Sequence, residues 1–294
     1  MKSTQVQQLA QTISEFPTLP TIVARVIQEL NDPYSSAEDV TGIISSDPAM
    51  TFRILKIANS AYYGFPRAIT TITESIVLLG FSTVRNLVLT TLMYQFNEMI
   101  VPAQVKKSGR RPPLAFNRTE AWWHSAATAI ATREIILKRR QEAREHLGYL
   151  AGLMHDIGIM FFCHYLPEAY EKVQASRGKD DAALSRLEEE IIGAHHGQVG
   201  AWIVDRWNLP KEIVEPIALH HFPEQAKDEK ELTITLHLGD MLARKIQTPD
   251  VPLPEWEHVG TWLEHLNLSE AQMADIEIRV GLELKQIANF MAVA

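Results

Sequence analysis

Apolar residues recur at intervals of three and four along most of the chain, and residues that start or end helices separate these stretches. Asp47-Pro48 places an N-cap residue before a proline at the first helical position, and Ser36–Asp39 resembles a capping box with Asp in place of Glu or Gln. Gly80 ends a short helix predicted over 73–79. The chain shows no period-two alternation flanked by turn pairs. The pattern predicts an all-α fold.

The helical pattern is interrupted once, over residues 101–118. This segment holds three prolines, a glycine and a cluster of four basic residues at 106, 107, 110 and 111, which is typical of a solvated linker. A loop that docks phosphate or a partner is the alternative. We therefore expect two helical lobes, over 1–100 and 119–247, and a C-terminal helical extension over 248–294. Within the second lobe the pattern predicts helices over 119–140, 142–162, 181–193, 197–207, 210–221 and 232–246.

Composition limits the function classes. The chain has 294 residues, of which 46% are hydrophobic and 22% charged, as expected for a globular protein rather than a fibrous or disordered one. The formal net charge of −8 argues against general nucleic-acid binding. A single cysteine, Cys163, excludes both an intramolecular disulfide and a metal cluster held by thiolates.

The sequence also predicts no membrane association. Residues 1–8 are mostly polar, unlike the apolar core of a signal peptide. The longest apolar region, Leu147–Leu166, contains His155, Asp156 and His164, which makes it too polar for an ordinary membrane span. We expect a soluble protein of the cytoplasm.

Eleven histidines are present, and the His155-Asp156 pair lies inside the longest apolar region. Adjacent side chains on a helix point about 100° apart, so both can reach a metal that lies between them. A carboxylate in such apolar surroundings costs several kcal/mol unless it is paired or bound to a cation. The alternative is a buried His–Asp hydrogen bond that only fixes two helices.

Further potential ligands lie on the predicted interior faces of separate helices. His221 extends the stripe of Ile213 and Ile217 at a spacing of four residues, and Asp240 continues a similar stripe. The predicted metal ligands are His124, His155, Asp156, His196, His220, His221 and Asp240. Imidazole and carboxylate ligands suit zinc, iron, manganese or nickel, so one or two divalent transition-metal ions are expected. The remaining histidines are interpreted as surface or structural residues: His146, His164, His237, His258 and His265.

Several polar and aromatic residues have both a structural and a functional interpretation. Asn59 is expected to satisfy backbone groups at a helix end, with ligand contact as the alternative. Trp122 and Trp123 are interpreted as core aromatics, or else as a pocket wall. Glu188–Glu190 is interpreted as a solvated helix face, from which one carboxylate could support a metal ligand.

The order of these residues resembles the HD superfamily of metal-dependent phosphohydrolases. That superfamily has a His, then a His-Asp pair, then a distal Asp on a helical fold, and His124, His155-Asp156 and Asp240 match this order. In its binuclear members additional histidines complete a second metal site. The resemblance implies this role for three further residues, His196, His220 and His221.

A closer resemblance is to the HDOD family, a divergent signalling branch of the HD superfamily. The motifs that carry it are Phe16–Pro20, Ile44–Met50, Ile57–Gly64, Ile76–Phe81, Gly193–Gly200, Trp207–Pro210 and Ile217–His221. They extend over most of the chain. The resemblance implies an all-helical fold of two lobes, the second similar to the HD core. It also implies a signal-transduction module that binds a signalling protein or a small regulatory ligand.

Three functions follow as hypotheses. The first is a signalling module whose metal is structural or vestigial. The second is a metal-dependent phosphohydrolase that acts on a nucleotide or a phosphomonoester, and the third is an iron-based redox or oxygen sensor. The sequence names no catalytic residue and predicts no organic cofactor, because it lacks a phosphate loop, a nucleophile elbow and a dinucleotide fingerprint.

Two departures from the HD-GYP phosphodiesterases disfavour hydrolysis of cyclic-di-GMP. Ile159 stands where those enzymes commonly carry a lysine that contacts the scissile phosphate, and no Gly-Tyr-Pro element follows His195–Gln198. A hydrolase would therefore need another basic residue near its site. Arg85 and Lys56 are the candidates from sequence.

Overall fold

The computed structural model describes residues 25–26, 28–29, 36–59, 63–91, 93–94, 117–176, 181–249 and 259–291. Within these ranges the regular structure is helical and no strand occurs, so the all-α prediction is confirmed. The predicted linker lies outside the described residues except at 117–118, and the Phe16–Pro20 motif lies wholly outside them. The chain divides into two compact units, with described residues 25–94 and 281–291 in the first and 117–280 in the second.

The first unit begins with helices whose starts are capped by side chains. Its described residues include helical residues at 25–26 and 28–29, then α1 (Ala37–Ser45), α2 (Pro48–Ala58) and α3 (Ile72–Leu79), and further helical residues over 81–91 and 93–94. Ser36 Oγ accepts from the Asp39 backbone N–H at 3.2 Å, and the Asp39 carboxylate accepts from the Ser36 N–H at 3.0 Å. The predicted capping box is therefore present, and the bonds from Ser36 lower the pKa of Asp39.

Two further turns of the first unit follow from local chemistry. Gly80 ends α3 with a positive φ of 84°, as its position in the sequence predicts. The Asn59 side chain donates to the carbonyls of Leu55 and Ile69, both at 2.8 Å, and accepts from the Ile69 N–H at 2.6 Å. Asn59 thus satisfies backbone groups at the end of α2, as expected.

The second unit contains most of the helices. They are α4 (Arg118–Lys138), α5 (Glu145–Met154), α6 (Ile157–Tyr165), α7 (Pro167–Ala175), α8 (Asp181–Ile191), α9 (His196–Arg206), α10 (Val214–Leu219), α11 (Lys230–Gln247) and α12 (Val259–Leu266). Three short 3-10 helices separate some of them: Glu142–Arg144, Lys211–Ile213 and Pro223–Gln225. The last helix, α13 (Glu270–Met291), contributes residues to both units.

The single helix predicted over 142–162 is wrong, because the chain turns at His155-Asp156. Helix α5 ends at Met154 and α6 begins at Ile157. Asp156 has φ −96° and ψ 11°, and its carbonyl accepts from the Ile159 N–H at 2.9 Å, which is a tighter turn than an α-helix makes. The His-Asp pair therefore lies at a helix junction rather than within a helix.

Helices α5 and α11 pack closely on α4 because glycines lie at the contacts. A Cβ added at Gly152 would lie 2.6 Å from Ala129 Cα, and one at Gly239 would lie 2.3 Å from Thr132 Oγ1. A side chain at Gly152 would overlap the backbone of α4, and one at Gly239 would overlap the Thr132 side chain. These contacts bring one end of α5 and the middle of α11 against the face of α4 that carries His124.

The most apolar stretch of the second unit is a core element. Glu142–Tyr165 is the one stretch of the described residues with the length and mean hydropathy of a membrane-spanning helix, and most of it is buried inside the fold. The core helices of globular proteins satisfy the same criterion.

Candidate metal centre

The structure brings all seven predicted ligands together in the second unit. They lie on α4, at the α5–α6 junction, at the start of α9, just after α10 and on α11: His124, His155, Asp156, His196, His220, His221 and Asp240. Five separate segments of the chain thus converge on one small volume. That convergence favours the metal-site interpretation over histidines that are satisfied independently in the core.

The ligand atoms form two adjacent groups, each within 4.8 Å of one another. We call them the His-rich set and the Asp240 set. The His-rich set consists of Asp156, His196, His220 and His221, and the Asp240 set consists of His124, His155 and Asp240. Each set combines imidazole nitrogens with one carboxylate, which is the donor chemistry that divalent transition metals prefer.

The carboxylate of Asp156 lies between the two sets. Its Oδ2 is 3.3 Å from His155 Nε2 and 3.7 Å from His124 Nε2, which belong to the Asp240 set. Its Oδ1 is 3.5 Å from His196 Nε2 and 3.8 Å from His220 Nε2, which belong to the His-rich set. One oxygen therefore faces each set, which is the arrangement of a carboxylate that bridges two cations.

Four of the rings are oriented through their Nδ1 atoms. His155 Nδ1 lies 2.8 Å from the Gly152 carbonyl, and His220 Nδ1 lies 2.8 Å from the Ile217 carbonyl. Because a carbonyl oxygen only accepts, each Nδ1 carries a proton, which leaves Nε2 as the nitrogen through which each ring can bind a metal. His124 Nδ1 is held in the same way by Gln247 Oε1 at 3.1 Å.

The inward Nε2 atoms approach one another closely. His155 Nε2 lies 3.3 Å from His124 Nε2, and His196 Nε2 lies 3.2 Å from His220 Nε2 and 3.1 Å from His221 Nε2. Lone pairs that face each other at these distances repel unless a cation or a proton lies between them. The donor geometry therefore fits a metal ion in each set.

The His196 ring is held by a buried carboxylate, that of Glu188 on α8. Glu188 Oε2 accepts from the His196 backbone N–H at 2.8 Å and from the ring Nδ1 at 2.7 Å. The solvated-face interpretation holds for Glu189 and Glu190, which are exposed, but it is wrong for Glu188, which is fully buried. Its spacing of four residues from buried Leu184 is the sequence signal that would have identified it.

Arg244 is the polar neighbour that sequence reasoning missed. It lies one turn after Asp240 on α11, and its Nη2 is 3.1 Å from Asp240 Oδ2. The i,i+4 spacing of opposite charges was the available signal. The basic candidates from sequence, Arg85 and Lys56, belong to the first unit, where Arg85 donates to Ser82 Oγ at 3.1 Å and Lys56 lies over the Phe52 ring.

Two more histidines lie beside the centre without belonging to either set. His195 caps α9 by accepting from the Gln198 N–H at 3.4 Å, and burial lowers its pKa to about 3. His237 is buried, and its Nδ1–H donates to the His220 carbonyl at 2.7 Å. His237 therefore supports the segment that carries two ligands, which agrees with its interpretation as a structural residue.

The charges in the centre are set by the mutual proximity of its groups. Burial opposes ionisation of Asp156, but the neighbouring imidazoles of His155, His196 and His124 together outweigh it and hold the pKa of the carboxyl well below its usual range. Burial likewise opposes the charge on Asp240, but Arg244, His124 and His155 together outweigh it and lower the pKa well below the ordinary value. Burial also opposes protonation of His155, yet the carboxylate of Asp156 raises its pKa.

The rings of His220 and His221 behave oppositely to that of His155. Burial, together with the adjacent imidazoles, lowers the pKa of His220 and of His221 well below the usual histidine value. Both rings are therefore neutral at neutral pH, the form in which imidazole binds a metal. Solvent reaches the centre at Asp156 and His124, whose side chains are 22% and 14% exposed.

Comparison with known proteins gives the same picture of the fold. A solved structure of a candidate phosphohydrolase from Shewanella amazonensis SB2B superimposes with a TM-score of 0.71, at 22% sequence identity over 97% of this chain and 98% of that one. A candidate signal-transduction protein from Marinobacter aquaeolei VT8 superimposes with a TM-score of 0.74, at 18% identity over 99% of this chain and 67% of that one. At these identities the likeness shows a shared helical fold.

Sequence comparison places the chain in a family. An uncharacterized protein of Treponema pallidum (strain Nichols) is 24% identical over 252 residues, which are 84% of this chain but 46% of that protein. The chain thus spans about half the length of this curated relative. The model of the HDOD domain matches residues 16–223, which is most of the chain. The chain belongs to the HDOD family.

Proposed function

We propose that this HDOD chain is a signalling protein whose metal centre hydrolyses a phosphoester, either a nucleotide or a phosphomonoester. The observation that carries the proposal is the position of Asp156, with one carboxylate oxygen facing each donor set. A site for a single structural ion does not need this arrangement. Two cations that share a carboxylate are typical of enzymes that cleave phosphoesters.

The residues of the centre fit such a pair of ions. The His-rich set would hold one ion and the Asp240 set the other, with Asp156 between them. When bound, transition-metal ions act as Lewis acids and lower the pKa of a bound water from about 15.7 to about 7. Glu188 and Gln247 keep the rings of His196 and His124 oriented toward the donors.

The hydrolase hypothesis also requires a basic group near the donors, because Ile159 occupies the position where related phosphodiesterases have a lysine. Arg244 meets this requirement, since its guanidinium contacts the ligand Asp240. The exposed edge of the centre, at Asp156 and His124, is the side from which a phosphoester can approach. Cyclic-di-GMP stays disfavoured as the substrate.

The test is metal analysis followed by a hydrolysis assay on the purified full chain. We expect one or two equivalents of transition metal, together with hydrolysis of nucleotides or phosphomonoesters that a chelator abolishes and added metal restores. His155→Ala and Asp156→Ala should lose both metal and activity, and His265→Ala, an exposed histidine outside the centre, should lose neither. Activity that survives the chelator and both ligand variants would refute the proposal.

A second candidate function is a signalling module in which the metal only holds the fold. Burial favours it, because His155 and His196 are fully inaccessible and His220 nearly so. The protein would then act by binding a signalling protein or a small regulatory ligand. The same variants separate the two functions: His155→Ala would lower stability and partner binding, while the unaltered protein would hydrolyse no phosphoester.

A further inference from the structure

The two donor sets of the proposed metal centre are not equivalent. The His-rich set offers three imidazoles, whereas the Asp240 set offers two imidazoles and a carboxylate, and Asp156 directs one oxygen at each set. The charged groups behind the two sets differ in sign.

The His-rich set has a negative group behind one of its ligands. Glu188 accepts both the backbone N–H and the ring Nδ1–H of His196 on a single oxygen. Its other oxygen has no hydrogen-bond partner among the described residues, so the hydrogen bonds that this fully buried side chain accepts there come from His196. A carboxylate behind an imidazole makes the opposite ring nitrogen a stronger donor, and loss of such a partner typically costs 10- to 100-fold in metal affinity.

The Asp240 set has a positive group in the corresponding place. Arg244 Nη2 lies 3.1 Å from Asp240 Oδ2, and both side chains are largely buried. An ion that binds Asp240 must share its carboxylate with the guanidinium, and it also meets the repulsion of a second cation in surroundings of low dielectric constant. Arg244 therefore weakens the set to which it belongs.

We infer that the two sets hold their ions unequally, so that the ion in the His-rich set is retained and the ion in the Asp240 set exchanges with solution. Glu188 and Arg244 are the positioning residues that create the difference. The inference rests on the proposed metal centre, but it does not depend on whether that centre hydrolyses a substrate. It predicts that the protein purifies with one ion and gains the second only when metal is added.

The experiment is a titration of the metal-depleted full chain with Co²⁺, followed by calorimetry and by the visible absorption of the bound ion. We expect two steps whose affinities differ by about tenfold or more. Glu188→Gln keeps the size of the side chain but removes its charge, and it should weaken the tighter step by about tenfold. Arg244→Met should instead tighten the weaker step.

Neighbouring residues supply matched controls. Glu189→Gln removes an exposed carboxylate beside Glu188, and Lys245→Met removes the cation that follows Arg244 and pairs with Glu277. Neither substitution should shift either step. Circular dichroism of each metal-depleted variant checks that it folds.

The opposite signs of the two effects make the test specific, because residues that only support the fold would weaken binding in both variants. A single step of two equivalent ions would overturn the inference while leaving the metal centre intact. Weaker or unchanged binding in Arg244→Met would also overturn it, even if Glu188→Gln failed to fold. Absence of any bound Co²⁺ would refute the proposed function together with the inference.

Discussion

The orientation of each ring at the metal centre depends on the group that holds its Nδ1 atom. Backbone carbonyls hold His155 and His220, whereas the side chains of Gln247 and Glu188 hold His124 and His196. A backbone carbonyl remains when a side chain is replaced, but a side-chain partner is removed. Substitution of Gln247 or Glu188 can therefore alter the orientation of a ring while the ligand itself is kept.

Replacement of Gln247 by alanine tests this point at the Asp240 set. The His124 ring would lose its acceptor at 3.1 Å and become free to rotate, so the metal affinity of that set should fall by about 10- to 100-fold. Gln247 is exposed, and the free energy of unfolding of the metal-depleted protein should change little. A Co²⁺ titration measures the first quantity and urea denaturation the second, with Gln225→Ala as the control. Unchanged affinity would mean that packing alone orients His124.

Gly158 is the residue at which backbone packing controls a ligand. A Cβ at this position would lie 2.0 Å from the His196 carbonyl oxygen, an overlap that rotation of a side chain cannot relieve. Gly158→Ala should therefore displace the start of α9, destabilise the fold by about 1–3 kcal/mol and weaken metal binding at the His-rich set. Gly260→Ala, where nothing lies within 4 Å of the added atom, should be neutral or slightly stabilising. Urea denaturation and Co²⁺ titration of both variants provide the comparison, and equal behaviour would contradict the steric argument.

At the scale of elements, the sequence predicted those features that depend on neighbours along the chain. The capping box at Ser36, the N-cap at Asp47, whose side chain accepts from the Met50 N–H at 3.1 Å, and the helix end at Gly80 all involve residues within one turn of each other. Most helices of the second unit also begin and end within a few residues of their predicted positions. Local chemistry is enough to specify these boundaries.

The features that the sequence did not predict depend on contacts between distant segments. The break at His155-Asp156 places Gly158 against the backbone of His196, a residue of another helix. The burial of Glu188 likewise depends on His196, and the role of Arg244 depends on where Asp240 points. Hydrophobic periodicity marks an interior face, but it does not show which polar groups meet there.

The end of α4 is tied to the start of α11 by a polar network that gives a pH-dependent prediction. Glu231 accepts from Gln141 at 3.3 Å and from Arg139 at 3.1 Å, and these bonds lower its pKa. A carboxyl whose pKa is lowered on folding adds stability above its ordinary pKa and loses it as pH falls through the folded value. Glu231→Gln should thus cost less than about 1 kcal/mol at pH 7, because the side chain is half exposed, and the cost should decrease as the pH falls toward 3.

Urea denaturation at the two pH values checks the Glu231 prediction. Glu264→Gln, an exposed carboxyl on α12, is the control and should show no difference between them. A cost for Glu231→Gln that is the same at both pH values would assign the effect to the shape of the side chain rather than to its charge.

At the scale of the whole molecule, the donors are confined to one of the two compact units. All seven lie between residues 124 and 240, within the second unit, and their bonds connect helices from α4 to α11. A ligand that binds only the folded state stabilises the part whose unfolding destroys its site. Bound metal should therefore stabilise the second unit directly.

Metal addition should accordingly raise the stability of the second unit by about 2.7 kcal/mol when the free ion is at 100 times its dissociation constant. Hydrogen exchange followed by mass spectrometry resolves the two units, and we expect slower exchange in α4, α5, α9 and α11 on addition of Co²⁺. Exchange in α1 to α3 should change much less, because those helices hold no donor of either set.

Asp156→Ala removes the carboxylate that faces both sets, so in that variant the protection should be lost from helices of both donor sets together. Loss of protection around only one set would show that Asp156 binds a single ion. Replacement of a carboxylate that binds both ions should weaken both sites.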